Sequence, residues 1–347
     1  MTEPPPSEVP PTPHPGPAPA PAVPEVPNRT FRFDGPTGSF FKLYLKNIVL
    51  TLLTLGIYRF WAKVEVTKFL YRHTSFYGGR FGYHATGKEK FFGFLRGMLI
   101  LLPVVGLLVI LYRAVEPHVG GENAFIICLY GFGFVMALLR PLIIVGTRAF
   151  NYARTSWNNL RFRFKGRVKP LYRIYLRDYV LMVITFGIYT AWHHVNVKRY
   201  IRQHTEFGGN KLDYDGSGGD LFAIYFFGLL LSYITLGIFL PWYIAGIHRY
   251  HIDHTLFQSQ RFKSRLRGSQ MFSFLLVSVL TVILTVGLAL PWVIIRYNRM
   301  IAETTDFLGV IDLGAIRAGF DAQATATLEG IGEAGEALES LGELFGG

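Results

Sequence analysis

The segment Thr235-Leu-Gly-Ile-Phe-Leu-Pro-Trp242 decides how this chain is organised, because versions of it occur four times. All four share a threonine, a glycine two residues later and a tryptophan five residues after the glycine. The other copies are Thr54-Leu-Gly-Ile-Tyr-Arg-Phe-Trp61, Thr185-Phe-Gly-Ile-Tyr-Thr-Ala-Trp192 and Thr285-Val-Gly-Leu-Ala-Leu-Pro-Trp292. The last three copies stand 50 residues apart, a period that predicts an architecture built from one repeated unit.

The repeat extends on both sides of this motif. Seven residues after each tryptophan comes a base, and six residues after that base comes a threonine. A degenerate fifth copy contains Arg140-Pro141-Leu142, where leucine replaces the tryptophan. Alternating segments such as Phe31-Arg-Phe-Asp-Gly35 flank the copies and are typical of strands closed by a turn. Each unit is therefore predicted to contain a strand, a membrane helix, a Thr-x-Gly break and a basic amphipathic helix.

Composition places this repeat in a membrane. Of 347 residues, 50% are hydrophobic and 17% are charged, against about 25% charged in an ordinary soluble domain. Six apolar stretches reach about 20 residues, the length that a helix needs to cross a hydrocarbon core. They are residues 40–60, 92–112, 124–147, 171–192, 221–245 and 271–295. We expect an all-α polytopic membrane protein with about six transmembrane helices, built from ~50-residue repeats, with short β-strand segments in the loops.

Three regions follow from the distribution of residue types. Residues 1–28 contain twelve of the nineteen prolines and predict a disordered, proline-rich N-terminal tail. Residues 29–311 form the predicted repeat-built transmembrane domain. Residues 312–347 form a predicted acidic tail, whose leucines and alanines have the spacing of an amphipathic helix.

The repeated tryptophans and bases are the candidate binding residues. Tryptophan marks the headgroup level of a bilayer, and a base two turns further on reaches lipid phosphate. We therefore predict interfacial contacts with lipid or another anion at eight side chains. They are Trp61, Lys68, Trp192, Arg199, Trp242, Arg249, Trp292 and Arg299. The alternative is that the unit is an interfacial anchor copied by duplication.

Catalytic and metal-binding motifs were sought as well. The sequence has no Walker loop, nucleophile elbow or zincin motif, so no catalytic residue, cofactor or metal is expected. His248, His251 and His254 raise the alternative of a metal site, but interfacial polar side chains are favoured because the first and last lie far apart around a helix. The net charge is +12, but the basic residues lie between apolar runs and not on one continuous face. This argues against nucleic-acid binding.

Two topologies fit the pattern. If every span crosses once, the units alternate in orientation, and the positive-inside rule places both termini outside the cytoplasm. If Thr-x-Gly is a re-entrant bend, every strand segment lies on one side of the membrane. Strands need partners, and both arrangements bring some of them together.

The motifs resemble the YjgN-like family of bacterial inner-membrane proteins. The residues that carry the resemblance are Phe31-Arg-Phe-Asp-Gly35, Thr54-Leu-Gly-Ile-Tyr-Arg-Phe-Trp-Ala-Lys63 and His73-Thr74. It covers roughly residues 29–312 and implies a multispan protein of the bacterial inner membrane. It supplies no reaction, substrate or catalytic residue.

The favoured function is therefore non-enzymatic. We expect the protein to bind or move a small solute or lipid, with the bilayer and anionic lipids as its partners. The alternative is a non-transporting membrane scaffold or envelope-stress component that acts through its tails. A membrane enzyme acting on lipid is the third hypothesis.

Overall fold

The computed structural model describes residues 30–321. The predicted proline-rich tail and residues 322–347 of the predicted acidic tail lie outside this range. The described chain is mostly helical and also contains two antiparallel sheets. Its helices are α1 (Thr37–Leu53), α2 (Arg59–Arg72), α3 (Gly87–Val119), α4 (Gly121–Ala153), α5 (Val168–Ile184), α6 (Thr190–Gln203), α7 (Gly218–Ile234), α8 (Leu240–Asp253), α9 (Gly268–Leu284) and α10 (Leu290–Glu303), followed by helical residues 313–321.

Each Thr-x-Gly motif forms the turn between two helices that fold back on each other. Thr235 ends α7, and Leu236 and Gly237 then adopt φ of 49° and 89°, which reverses the chain before α8. The threonine hydroxyl stabilises this turn: Thr235 Oγ1 donates to the Leu231 carbonyl at 2.7 Å and accepts the Phe239 N–H at 3.0 Å. The other three copies repeat these contacts.

The helical hairpins correct one sequence prediction. The ranges 40–60, 171–192, 221–245 and 271–295 each contain the end of one helix and the start of another, so the prediction of a continuous spanning helix there is wrong. The physical reason is that two successive residues with positive φ end a helix and reverse the chain, as in the alternative in which Thr-x-Gly is a bend.

One hairpin is longer than the others. Helices α3 and α4 each have 33 residues, and within residues 30–321 they are the helices long and apolar enough to cross a membrane. The predicted spans 92–112 and 124–147 lie inside them. A single residue, Gly120 with φ of 83°, connects them.

The strands form one continuous ring. They are β1 (Arg32–Phe33), β2 (Thr74–Phe76), β3 (Gly79–Tyr83), β4 (Thr155–Trp157), β5 (Leu160–Arg161), β6 (Arg163–Phe164), β7 (Thr205–Phe207), β8 (Asn210–Tyr214), β9 (Thr255–Phe257), β10 (Gln260–Ser264) and β11 (Thr305–Leu308). The first sheet runs in order from β1 to β5 and the second from β6 to β11. Phe162 connects β5 to β6, and its N–H donates to Thr155 at 3.0 Å. The N–H of Phe31 donates to Thr305 at 3.1 Å and closes the ring.

Two layers of apolar side chains fill this ring. The buried layer consists of Phe76, Trp157, Phe207, Phe257 and Phe307. The second layer, nearer the helices, consists of Phe31, Phe81, Phe162, Leu212 and Phe262. The layers pack ring on ring, with centroids 4.2 Å apart between Phe31 and Phe76 and 4.5 Å apart between Phe162 and Phe207. The centre of the ring is therefore a packed core and not a pore.

The start of the predicted acidic tail belongs to this core. Ile316 is fully buried and packs against the ring at the β-turn that contains Gly208. Phe320 lies beside Phe207, with ring centroids 5.5 Å apart. The helical residues 313–321 therefore cover the end of the ring that faces away from the helical hairpins.

Candidate functional site

A cavity of about 540 Å³ lies above the second aromatic layer, between α2 and α4, and we call it the central chamber. Phe31, Phe81 and Phe162 form the aromatic wall. Lys63 and Arg148 provide charged groups to the same cavity. The chamber is thus apolar at the ring and polar between the helices.

A polar side chain occupies the same position in the second helix of each hairpin, six residues after the tryptophan position of the motif. We call this set the polar level. Its members are Thr67, Arg148, Lys198, His248 and Asn298. Thr67 and Arg148 line the cavity. Arg148 contributes to lowering the pKa of Lys198, and Lys198 contributes to lowering the pKa of His248, so this position of α4, α6 and α8 lies in one electrostatic environment.

Positive charge is concentrated on one side of the chamber. Burial lowers the pKa of Lys198, and the charges of Arg202 and Arg148 lower it further. Burial lowers the pKa of His251 to about 3, with smaller contributions from nearby cationic side chains, Lys198 the largest. We call the bases Arg148, Lys198 and Arg202, together with the neutral imidazoles of His248 and His251 beside them, the cationic cluster; burial lowers the pKa of both imidazoles. Within residues 30–321, no carboxylate forms an ion pair with any of its members.

The imidazoles of the cluster differ in their contacts. Nδ1 of His251 lies 2.9 Å from the hydroxyl of Tyr214, which holds the ring in place. Nε2 of His248 is buried, and no group among residues 30–321 forms a hydrogen bond with it. A buried polar nitrogen without a partner is costly in a folded protein, so Nε2 of His248 is an open position for a ligand or for water.

The predicted tryptophans have a packing role. Trp61, Trp192 and Trp242 each lie on the first glycine of the next hairpin, where a Cβ atom would come within 2.0–2.3 Å of the indole. These glycines are Gly87, Gly218 and Gly268. Trp292 differs, because the guanidinium of Arg296 lies over its ring at 5.0 Å. Three of the four tryptophans therefore join successive hairpins.

The predicted bases do not converge. Arg199 donates to the carbonyls of Tyr214 at 3.3 Å and Gly216 at 2.6 Å, so it positions the connection from β8 to α7. Arg249 and Arg299 are exposed, and Lys68 is half-buried. These bases directly follow the polar level in the sequence. Adjacent residues of a helix point about 100° apart, so the bases face away from the chamber.

The sequence did not predict the polar level, because its five members are five different residue types. The available signal was a polar residue directly before each of four repeated bases. A second polar cluster surrounds Asp178, whose carboxylate pairs with Arg177 at 2.7 Å and also contacts His193 and Asn196, each at 3.1 Å. Asp178 is completely buried, so these donors satisfy a carboxylate that links α5 to α6.

Metal binding was an alternative for the histidines. Among residues 30–321, no three histidine, cysteine, aspartate or glutamate side chains are placed to hold a metal ion. His248 and His251 face the same chamber, while Nδ1 of His254 bonds to the Tyr250 carbonyl at 2.8 Å. The three histidines therefore do not act together.

Helical hairpins with exposed apolar turns, two of whose helices are long and apolar enough to cross a membrane, define a membrane-embedded protein. The chain belongs to the family described as bacterial protein of unknown function (DUF898), which matches residues 28–231, 209–263 and 223–334. This agrees with the resemblance that the repeated motifs carry.

Curated relatives have the same cellular location in their names. The inner membrane protein YjgN of Escherichia coli O157:H7 is 30% identical over 165 residues, 47% of this chain and 38% of the relative. The YjgN proteins of Escherichia coli strain K12 and Salmonella typhimurium strain LT2 are 28% and 26% identical, over 38% and 40% of their lengths. The matched part is thus about two fifths of these relatives. No solved structure matches the chain significantly. The protein is a bacterial inner-membrane protein.

Proposed function

We propose that the protein binds a phosphate-bearing anion in the central chamber, either the headgroup of an anionic lipid or a small solute. The observation that carries this proposal is the cationic cluster, whose side chains form no ion pair with a carboxylate within residues 30–321. Lys198 and Arg202 are half-buried beside the exposed Arg148, and a bound anion relieves the repulsion among these like charges.

The residue types of the cluster suit phosphate. The guanidinium groups of Arg148 and Arg202 have the planar donor geometry that binds phosphate oxygens in pairs. Lys198 adds a compact charge from the neighbouring turn of α6. The buried Nε2 of His248, in the tautomer that carries the proton there, donates a further hydrogen bond.

The surroundings of the chamber favour a lipid headgroup over a free solute. The ring end is filled by the two aromatic layers, and the other end lies toward the exposed apolar hairpin turns. A lipid would place its phosphate in the chamber and its acyl chains among those turns. The outward bases Lys68, Arg249 and Arg299, near the motif tryptophans, are proposed to contact surrounding headgroups.

The proposal extends to the organisation of the chain. We propose that residues 29–311 form one transmembrane domain that arose by duplication of a ~50-residue unit, because helices of 17 and 14 residues recur in the same order at each clear motif copy. The predicted tails, residues 1–28 and 312–347, would then add contacts outside this domain, except that residues 313–321 pack against the ring.

The test is a binding measurement on the full-length protein in detergent. Native mass spectrometry would count bound phosphatidylglycerol, phosphatidylcholine and inorganic phosphate for the protein and for an Arg148→Gln/Lys198→Gln variant. We expect phosphatidylglycerol to bind and the variant to bind it at least about tenfold more weakly, since a hydrogen bond to a charged group is worth about 1.5–3 kcal/mol.

The control is Lys211→Gln, which removes an exposed base of the strand ring, on β8, that the proposal does not place in contact with lipid. Its affinity should stay within about twofold of that of the original protein. This is well below the tenfold change, about 1.4 kcal/mol, expected of the double variant. Binding of inorganic phosphate alone would assign the chamber to a small anion. Equal binding by the protein and the double variant would overturn the proposal and leave the scaffold hypothesis, which requires a co-purifying partner lost on deletion of residues 1–28.

A further inference from the structure

We infer that the hairpins enter the membrane to two different depths: α3–α4 crosses it, whereas the four short hairpins end within the leaflet nearest the strand ring. The strand ring and all its β-turns then lie on the cytoplasmic side. This inference concerns the lipid surface of the protein and does not depend on what the chamber binds.

The first observation is the exposure of the short hairpin turns. The residue before each turn glycine is a large apolar side chain that is almost fully exposed. These residues are Leu55 (93%), Phe186 (98%), Leu236 (94%) and Val286 (92%). The five-residue turns that contain them hold no charged side chain. An apolar tip without a covering protein surface fits the hydrocarbon interior and not water.

The apolar surface continues down one face of the first helix of each hairpin. In α1 the exposed residues Phe41, Leu45, Ile48 and Leu52 follow one another at helical spacing. The two residues of α1 nearest the tip, Leu52 and Leu53, are its most exposed apolar residues, at 71% and 75%. Lys46 in the middle of α1 pairs with Glu65 on α2 at 2.8 Å, and Arg59, the first residue of α2, is the charged residue nearest this tip. The apolar exposure of α1 therefore increases toward the tip.

The length of the second helices limits the depth of insertion. From the start of α10, six residues precede Arg296, and from the start of α8, eight residues precede His248. At 1.5 Å per residue these stretches are about 9 Å and 12 Å long. Both are shorter than one leaflet, which is roughly half of a 30 Å hydrocarbon core. The short hairpins therefore do not reach the opposite surface.

The long hairpin has the opposite pattern. Between Arg96 and Arg113, 16 residues of α3 carry no charge, and between Glu122 and Arg140, 17 residues of α4 carry none. These stretches are about 24–26 Å long, which fits a tilted crossing with charged residues at both headgroup levels. Its tip is polar, with Glu116, His118 and Glu122 around Gly120. This tip therefore lies in water on the far side.

The distribution of bases sets the orientation. The chain has 35 lysines and arginines, and residues 112–123 at the far tip contain one of them, Arg113. The short turns contain none, so the ring side carries almost all of them. Lysine and arginine mark the cytoplasmic side. The four shallow hairpins also leave the far leaflet intact beneath the chamber, so the chamber is not a channel through the membrane.

The test is cysteine accessibility of the full-length protein in cell membranes, starting from Cys128→Ser. An impermeant maleimide would be applied to spheroplasts, to opened membranes and to detergent-denatured protein, using single variants His118→Cys, Ser259→Cys and Leu236→Cys. We expect His118→Cys to react on spheroplasts and Ser259→Cys only after the membranes are opened. Leu236→Cys should react only after denaturation, with Leu55→Cys and Val286→Cys as repeats of that position.

Each deviation counts against the inference. Reaction of Leu236→Cys in opened membranes or spheroplasts, shared by the equivalent tips, would place the short hairpins at a water surface. Failure of His118→Cys to react from outside while it reacts from within would show that α3–α4 does not cross. Reaction of Ser259→Cys on intact spheroplasts would place the ring on the periplasmic side.

Discussion

The indole of Trp192 lies directly on the backbone of Gly218, where a Cβ atom would stand 2.2 Å from the indole Cδ1. Trp192 is near the start of α6 and Gly218 is the first residue of α7, so this contact joins two successive hairpins. Equivalent contacts join α2 to α3 and α8 to α9 through Trp61–Gly87 and Trp242–Gly268. The tryptophan of the repeated motif therefore sets the spacing between hairpins, because only a glycine admits it this close.

Gly218→Ala should destabilise the protein by about 1–3 kcal/mol, the usual cost of overpacking a close contact. The neighbouring variant Gly219→Ala is the control, because its Cβ would meet only Ser217 Oγ at 3.7 Å. Alanine also favours helix over glycine, so this control should be neutral or slightly stabilising. Thermal unfolding of both variants in detergent measures the difference. Equal melting temperatures would show that Trp192 moves away without cost.

The threonine of the motif should be needed for its hydroxyl. Thr285 Oγ1 accepts the N–H of Ala289 at 3.0 Å inside an apolar turn, and Thr285→Val leaves that N–H without a partner. We expect a loss of about 1–3 kcal/mol in unfolding free energy.

Thr281→Val in the same hairpin is the matched control. Thr281 Oγ1 only donates to the Val277 carbonyl at 2.6 Å, and no backbone N–H depends on it. Denaturant titrations of the two variants should therefore differ, and a similar loss for both would assign the effect to the shape of valine instead.

The closed aromatic core of the ring should dominate stability. Phe307 is completely buried between strands and packs on Phe262, with ring centroids 4.9 Å apart. Phe307→Ala should cost about 3–5 kcal/mol, and the milder Phe307→Leu about 1 kcal/mol. Phe186→Ala, at an exposed hairpin tip, should change unfolding in detergent by less than about 0.5 kcal/mol. A comparable loss at both positions would contradict a core located in the ring.

The chamber should make stability depend on pH. His251 has a pKa lowered to about 3 by burial and by cationic neighbours, while an unfolded chain titrates near 6.5. At pH above 6.5 the group is neutral in both states. As the pH falls from 6.5 toward 3, the unfolded chain binds a proton that the folded chain does not, and stability is lost. Between pH 7.5 and 5.5 this should amount to about 1 kcal/mol.

Melting curves at those two pH values, in buffer without phosphate, would measure this loss. His251→Gln should be less sensitive to pH than the original protein, because glutamine does not titrate and still accepts a hydrogen bond from Tyr214. His118→Gln removes an exposed histidine at the far hairpin tip and should leave the pH dependence unchanged. An unchanged slope for His251→Gln would show that His251 is not responsible for the loss.

Local sequence features predicted the elements better than their arrangement. The short alternating segments form strands at Arg80 and Lys211, because period-two alternation before a turn depends on neighbouring residues. The long apolar helices α3 and α4 were predicted for the same reason. The Thr-x-Gly motif was recognised as a break, but its outcome, a reversal before Trp192, required the φ values of Phe186 and Gly187.

The candidate site shows where sequence reasoning stopped. The repeated bases, such as Arg249, were visible because they share one chemical type at one spacing. Lys198 stands directly before such a base and was not predicted, and His248 was considered only as a metal ligand, since neither repeats as a residue type. Which of two adjacent helical residues faces the chamber depends on which side of their helix the other helices cover. The local spacing of residues in the sequence does not show this.

The sequence by itself determined the membrane location, the periodic motif and the presence of strands in the connections, because composition and spacing within a few turns carry this information. Tertiary structure alone decided that the strands close into a ring between Phe31 and Thr305, that the helices return to it as hairpins, and that a cationic cluster faces one chamber. These features arise from pairing between residues far apart in the chain. Their free energy depends on the simultaneous packing of all the hairpins, which no single repeat contains.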